Sequence, residues 1–357
     1  MAVATIVGAG LMGSAMAWPL SDNGFEVRLV GTHLDEAAIE SCTRNGFHPR
    51  LKRTLPPRVR PFRFRDIDQA VTGSDIVVSG VNSSGVHWIA EQLADRIKPG
   101  QKVISVTKGL HVDDDGTLRT FPELIAAGFP PAVRAAVPVA AIGGPCIAGE
   151  LAGRRQSCVV FGCTDAAAAR DLARSFATSY YHVWPTGELL SLEIGVALKN
   201  AYVVAVAYGY GMLEKQGGPD EAGASMHNLA SAMFAQATCE IGALLARLGG
   251  TPAFATALPG AGDLYVTSMG GRTARLGRLL GEGKSYAEAR AIMQGETLEG
   301  VEIIRAMARL LPDLERKGTA RRDDFPLLRM LIALIGEGAR GELPLDAFFK
   351  GVFSAGA

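Results

Sequence analysis

Val3-Ala4-Thr5-Ile6-Val7-Gly8-Ala9-Gly10-Leu11-Met12-Gly13 runs five residues of strand character directly into a Gly-x-Gly-x-x-Gly turn. Branching at Cβ suits Val, Ile and Thr to a pleated, buried surface. In a turn from strand to helix the three glycines have separate tasks. The first makes the turn, the second lets backbone approach a pyrophosphate, and the third lets helix and strand pack closely. The helix N-terminus then offers free N–H groups to the phosphates. Gly8, Gly10 and Gly13, with Leu11 and Met12, are therefore candidate cofactor-binding residues. The stretch from Met1 to Ser21 is uncharged and ends near Ser14-Ala15-Met16-Ala17, which has the look of a secretory leader. It lacks the positive start of one, and its glycines fit the dinucleotide turn better, so a cytoplasmic location is expected.

Outward from this turn, short β-branched runs recur at Val27–Val30, Ile76–Ser79, Val103–Val106, Ala135–Ala140 and Cys158–Phe161. Runs of this length, separated by longer amphipathic stretches, predict strands of a parallel sheet covered on both faces. Pro138 inside the fifth run implies an edge strand or an irregular entry. After Pro185 the pattern changes. Thr186 can cap a helix that is apolar on nearly every face to about Met212, which places that helix in a core. Helical patterns follow over Met226–Leu248, Ala274–Gly283 and Gly300–Leu310. The fold class expected is α/β: an N-terminal Rossmann-type doubly wound sheet over residues 1–187, then an all-helical substrate domain over 188–357.

Lys plus Arg equals Asp plus Glu at 36 each, so the chain lacks the positive excess that binding to nucleic acid or a membrane surface draws on. No nucleic-acid or membrane partner is expected. The five cysteines are spread widely with no CxxC pair, which fits a reducing compartment better than a disulfide framework. The histidines are scattered without metal-ligand spacing, and no metal is assigned. His48-Pro49-Arg50 reads as a turn after the second helix.

The carboxylate that holds an NAD ribose belongs at the end of the second strand. Here that place reads Gly31-Thr32-His33, and the first acid is Asp35, so NAD or NADP is acceptable. Thr32 and His33, with Asn82 and Ser83 after the third run, are further cofactor candidates. Three segments bring polar groups into apolar or glycine-rich surroundings: Thr107-Lys108-Gly109, Lys199-Asn200, and Gly260 through Asp263 and Thr267 to Gly270-Gly271-Arg272. A lysine in a buried helix is costly unless paired or functional. Desolvation, or a second ammonium such as Lys108, tunes such a lysine toward donating or accepting the proton that accompanies hydride transfer. The alternative is a lysine reaching the surface with Asp263 or Glu193 as its salt partner. Arg272 suits a phosphate or carboxylate, since a guanidinium binds two oxygens at once.

These segments resemble the NAD(P)-dependent glycerol-3-phosphate dehydrogenase family over nearly the full length. The matching motifs are GAGLMGSA, SVTKGL around Lys108, GGPCIAGELA from Gly143, ALKNAY around Lys199, GAGDLYVTSMGGR around Asp263, and ETLEG ending at Gly300. The resemblance implies interconversion of dihydroxyacetone phosphate and sn-glycerol 3-phosphate by hydride transfer, commonly in a homodimer. It implies Lys199 as general acid/base, and Lys108 as the group that polarises the substrate. Asn200, Asp263 and Thr267 would surround the substrate, with Asp263 in the catalytic set. Arg272 would serve phosphate and cofactor, Glu299 the cofactor, and Gly144 and Ala148 a loop touching both. Thr273 stands where the family has asparagine, and Cys146 where it has serine. The family's usual arginine is absent around Met233-Phe234, and Glu214–Ser225 is longer than the common form. The substitutions at the substrate end leave a second expectation open: a related dehydrogenase acting on another polyol or sugar phosphate, or a ketoacid. A non-catalytic nucleotide-sensing or interaction protein on a dehydrogenase scaffold is a third, disfavoured by retention of both lysines, the Asp263 loop and Arg272.

Overall fold

The first apolar run becomes strand β1 (Val3–Val7), paired in parallel on both sides, with β2 (Glu26–Val30) and β4 (Ile76–Ser79). The computed structural model describes residues 1–338, 343–350 and 352. Beyond β2 lies β3 (Val59–Phe62), and beyond β4 come β5 (Lys102–Ser105), β6 (Val139–Gly143), β7 (Ser157–Gly162) and β8 (Tyr181–Thr186). The order is β3-β2-β1-β4-β5-β6-β7-β8. All neighbours are parallel except β6 and β7, which run antiparallel. The first six strands give the doubly wound order whose chain reversal lies between β1 and β4, where such sheets bind ligands.

Alternate residues feed two cores, one on each face. Ala4, Ile6, Val27, Leu29, Ile76 and Val78 fill one face. Val7, Val30, Val77 and Val103 fill the other. Sheets covered on both faces read as unbroken apolar runs for this reason. Pro138 precedes β6 instead of lying in it, and its carbonyl accepts from Val103 N–H. The entry is irregular, with a short helix over Pro131–Ala136, but β6 is an interior strand and not an edge. The edges are β3 and β8, which carry Pro61 and Pro185 where a missing N–H costs little.

Two compact units emerge: Met1–Lys108 with Thr120–Glu193, and Gly109–Arg119 with Ile194–Ala357. The second takes in most of a strand pair, Leu110–Val112 with Leu118–Thr120, so it is helical apart from that hairpin. The long helix spans Leu189–Lys215, and its apolar window is 94% buried. It and His227–Arg247 are each long and apolar enough to cross a membrane by length and composition. The helix Arg272–Gly281 lies directly on the long helix through glycines. A Cβ on Gly277 would meet Val204 O at 2.3 Å, and one on Gly281 would meet Tyr208 O at 2.1 Å. Buried Glu240 accepts from Tyr202 Oη, Gln236 Nε2, and the Leu327 and Leu328 N–H groups. It thereby caps the helix Pro326–Ile332.

Candidate active site

In the first unit, β1 ends in the glycine turn and a short helix, α1 (Leu11–Ala15). Gly8 has φ +114°, and a Cβ there would stand 2.6 Å from Gly80 C. A Cβ on Gly13 would stand 2.4 Å from Gly8 O. Both glycines are demanded by the protein's own backbone. Gly10 differs, because a Cβ there meets only Gly80 O at 3.8 Å, an ordinary contact. Open space at a backbone that caps α1 fits a dinucleotide pyrophosphate, and Leu11 and Met12 supply the next N–H groups of that helix end. Gly8→Ala is expected to lower stability by about 1–3 kcal/mol through strain. Gly10→Ala should leave the melting temperature nearly unchanged and weaken dinucleotide binding about tenfold or more. Thermal melts alongside fluorescence titration of the reduced dinucleotide check both.

The structure gives Asp35 an inward task. Its Oδ2 accepts from Ala9 N–H at 3.0 Å, Thr32 N–H at 3.1 Å and Thr32 Oγ1 at 2.8 Å. Asp35 and Thr32 are both buried, while His33 is exposed with its ring edge-on to Trp88 at 5.9 Å. Trp88 also packs against Phe64 at 5.2 Å. This aromatic group beside β2 escaped the sequence reading because its members are scattered along the chain. Asn82 Oδ1 caps a turn by accepting from Gly85 N–H, and buried Ser83 Oγ has no hydrogen bond among the described residues.

Lys108 lies beyond the end of β5, and its Nζ donates to Gly144 O at 3.2 Å. Gly144 has φ +117°, so the Gly-Gly-Pro loop needs glycine there. Cys146 is half-buried against the core, and Ala148 opens the helix Ala148–Ala152. Glu193 is fully buried, and among the described residues neither carboxyl oxygen has a hydrogen bond of ordinary geometry. Burial pushes its carboxyl up to about 8, against the pull of the Phe121 backbone and the Lys108 ammonium, with Glu123 adding to the push. Sequence offered no sign of this beyond an acid on an apolar helix. An unfolded glutamate has lost its proton above 4.5, whereas the folded one keeps it to about 8. Stability should therefore fall as pH rises through that window and level off above it. Glu193→Gln keeps the neutral shape and removes the slope. Its advantage in melting temperature over the parent should widen between about pH 5 and pH 8.

In the second unit, Lys199 is only 4% exposed on the long helix. Its Nζ donates to Asp263 Oδ1 at 3.0 Å and to Thr267 Oγ1 at 2.7 Å. The Thr267 hydroxyl spends its own proton on Asp263 O at 2.7 Å, so it receives from the ammonium. Of the two salt partners the sequence offered, Asp263 is the one observed. The lysine does not reach the surface. Asp263 and Thr267 lie on the helix Asp263–Ser268, four residues apart and so on one face. Neighbouring Asn200 is buried, and its Nδ2 has no hydrogen-bond partner among the described residues, leaving an amide donor available to a ligand. Gly300 lets its helix approach the Asn200 carbonyl, where a Cβ would meet the oxygen at 2.5 Å. Glu299 is the preceding, half-buried residue. Gly271 has φ +89° and turns the chain so that Arg272 begins the helix Arg272–Gly281. Arg272 lines a cleft of about 430 Å³ with Gly270, Gly271, Arg275, Arg278 and Glu296. Thr273 follows, with its methyl toward Gly300.

A dinucleotide turn at the head of a doubly wound sheet, followed by a helical unit with a buried ammonium, defines a nicotinamide-dependent dehydrogenase. The chain belongs to the NAD-dependent glycerol-3-phosphate dehydrogenase family. Models of that family's N-terminus and C-terminus match residues 3–169 and 188–343. An NADP(+)-dependent glycerol-3-phosphate dehydrogenase of Archaeoglobus fulgidus is 34% identical over 287 residues, covering 80% of this chain and 82% of that one. A glycerol-3-phosphate dehydrogenase [NAD(P)+] of Lysinibacillus sphaericus is 29% identical over 347 residues, covering 96% and 94%. The glycerol-3-phosphate dehydrogenase structure from Coxiella burnetii superposes with a TM-score of 0.78 at 22% identity over 99% of both chains, a likeness of fold.

Proposed function

We propose that the protein reduces dihydroxyacetone phosphate to sn-glycerol 3-phosphate with NAD(P)H, and catalyses the reverse, as a cytoplasmic homodimer. The observation that carries this reading is the Lys199–Asp263–Thr267 cluster, an ammonium held out of water beside the Asp263 carboxylate and the Thr267 hydroxyl. Bound in its reduced form, the nicotinamide supplies the hydride to the carbonyl carbon. Lys199 Nζ gives its proton to the carbonyl oxygen as negative charge develops there, and takes it back in the oxidative direction. Asp263 and Thr267 aim the ammonium and offset its desolvation. Lys108 polarises the substrate oxygen. Arg272, Thr273 and the Asn200 amide hold the phosphate. Gly144, Cys146 and Ala148 belong to the substrate loop that receives the Lys108 ammonium.

On the cofactor side, the turn Gly8, Gly10, Leu11, Met12 and Gly13 takes the pyrophosphate. Thr32, His33, Asn82 and Ser83 border the nucleotide, and the family resemblance gives Arg272 and Glu299 a part in holding it. The Asp35 carboxylate is turned to Ala9 and Thr32, so it does not confront a 2′-phosphate, and NADP is accepted as well as NAD. The test is oxidation of NADPH and NADH against a panel of phosphorylated ketones and ketoacids. Dihydroxyacetone phosphate should be the preferred acceptor. A clear preference for four- or five-carbon ketose phosphates, or for a ketoacid, would replace the substrate named here.

A further inference from the structure

We propose that His48 and Asp35 are positioning residues that fix the phosphate-binding turn by holding both polar groups of Ala9, and that His48 makes dinucleotide affinity acid-sensitive. The proposal rests on the dinucleotide reading of this turn and adds to it the parts that set its shape. Ala9 stands between the first two glycines. Its N–H donates to Asp35 Oδ2 at 3.0 Å, and its carbonyl lies 3.2 Å from His48 Nε2. His48 is wholly buried, and Asp35 is 7% exposed.

The tautomer follows from the ring's other nitrogen. His48 Nδ1 accepts from Leu51 N–H at 3.1 Å, so a neutral ring carries its one proton on Nε2. Nε2 faces both Ala9 O and Ser14 Oγ, the latter at 3.0 Å on α1. One imidazole thus ties the turn to the helix it opens. Peptide planarity gives this bond its consequence. In a trans peptide the carbonyl and the next N–H point in opposite directions. Drawing the Ala9 carbonyl onto His48 therefore aims the Gly10 N–H away from it. Asp35 does the same for the preceding peptide, since holding Ala9 N–H sends the Gly8 carbonyl the other way, where Gly13 and Gly80 pack against it. The glycines supply the freedom to make this turn, and His48 and Asp35 choose one orientation of its peptides.

Adding a proton to His48 means protonating Nδ1, which sets that N–H against the Leu51 N–H and pushes the ring, with the Ala9 carbonyl it holds, out of its seat. Burial holds the imidazole below its usual range, opposed by the bond to Ala9, with the Arg50 guanidinium lowering it and Asp35 raising it. Cys42, on the helix Glu36–Asn45, donates to Phe47 O beside the ring, and burial pushes its thiol up to about 11, so it stays neutral. Loosening of the turn should therefore set in at a lower pH than a free imidazole would titrate.

The test is direct fluorescence titration of NADPH onto the full-length protein from about pH 8 to pH 5, together with steady-state kinetics. His48→Ala should weaken binding about tenfold at pH 7.5, raising KM for the dinucleotide far more than it lowers kcat at saturation. His48→Gln places an amide N–H near Nε2 and cannot titrate. It should bind nearly as tightly as the parent at pH 7.5 and lose the parent's weakening in acid. Should His48→Ala fail to fold, comparing the pH profiles of the parent and His48→Gln decides the matter alone. Equal affinity of parent and His48→Ala, with only a lower melting temperature, would overturn the proposal. So would identical acid profiles for parent and His48→Gln. A parent that binds neither NADPH nor NADH would overturn the dinucleotide reading and this inference with it. A parent that binds well beside variants that bind equally well overturns the inference only.

Discussion

Replacing Lys199 with alanine is expected to lower turnover by about a thousandfold while dinucleotide binding stays close to the parent's. The two effects separate because the dinucleotide turn is built in the first unit, around Gly8, Gly13 and Gly80. Lys199 belongs to a different cluster, with Asp263 and Thr267. Without the ammonium, a ketone oxygen receiving negative charge has neither its proton donor nor its nearest buried cation. The Asp263 carboxylate would then oppose that charge. Lys199→Arg is expected to recover little. A planar guanidinium cannot reproduce a point ammonium, and it does not release its proton in this pH range. Steady-state kinetics with NADPH and dihydroxyacetone phosphate, alongside nucleotide titration, give both numbers.

The second large effect is on stability. Asp263→Ala should destabilise the protein by about 3–5 kcal/mol, because it leaves a buried ammonium without its carboxylate. Lys199 and Asp263 are 5% and 2% exposed at their side chains, so water is poorly placed to replace the lost partner. Thr267 remains as an acceptor but brings no charge. The double variant Lys199→Met with Asp263→Leu should regain much of the loss, since an apolar pair of similar volume needs no compensation. It should remain inactive. Denaturant melts of the two single variants and the double variant measure the coupling. Recovered stability without recovered turnover would assign the ion pair to function and not to holding the fold.

The fold was legible in the sequence where burial on both faces left unbroken apolar runs, as in Val3–Val7 and Ile76–Ser79. It was less legible at the sheet edges. Val59–Phe62 and Tyr181–Thr186 each have one neighbouring strand, so they tolerate Arg60, Pro61, His182 and Pro185 and show little apolar pattern. Ala135-Ala136 look like the start of a strand by composition, yet they end a helix that Pro131 begins. In the site, the lysine with its two potential carboxylate partners could be read from residue type alone. Which carboxylate pairs with it could not, because Glu193 lies six residues away on the same helix and Asp263 comes from a separate helix 64 residues further along the chain. The sequence around His48 shows only a turn, through Pro49. The histidine's burial under Ala9 depends on a hairpin, Phe47–His48 with Arg53–Thr54, that no local pattern announces.

The role of the Lys199 proton is tested most directly by the rate at which Lys199→Ala oxidises NADPH with dihydroxyacetone phosphate as methylammonium is added. The expected result is a very slow variant whose rate climbs with the concentration of the added amine, as a diffusible ammonium takes the vacated place. A variant that turns over as fast as the parent with no amine present would contradict it.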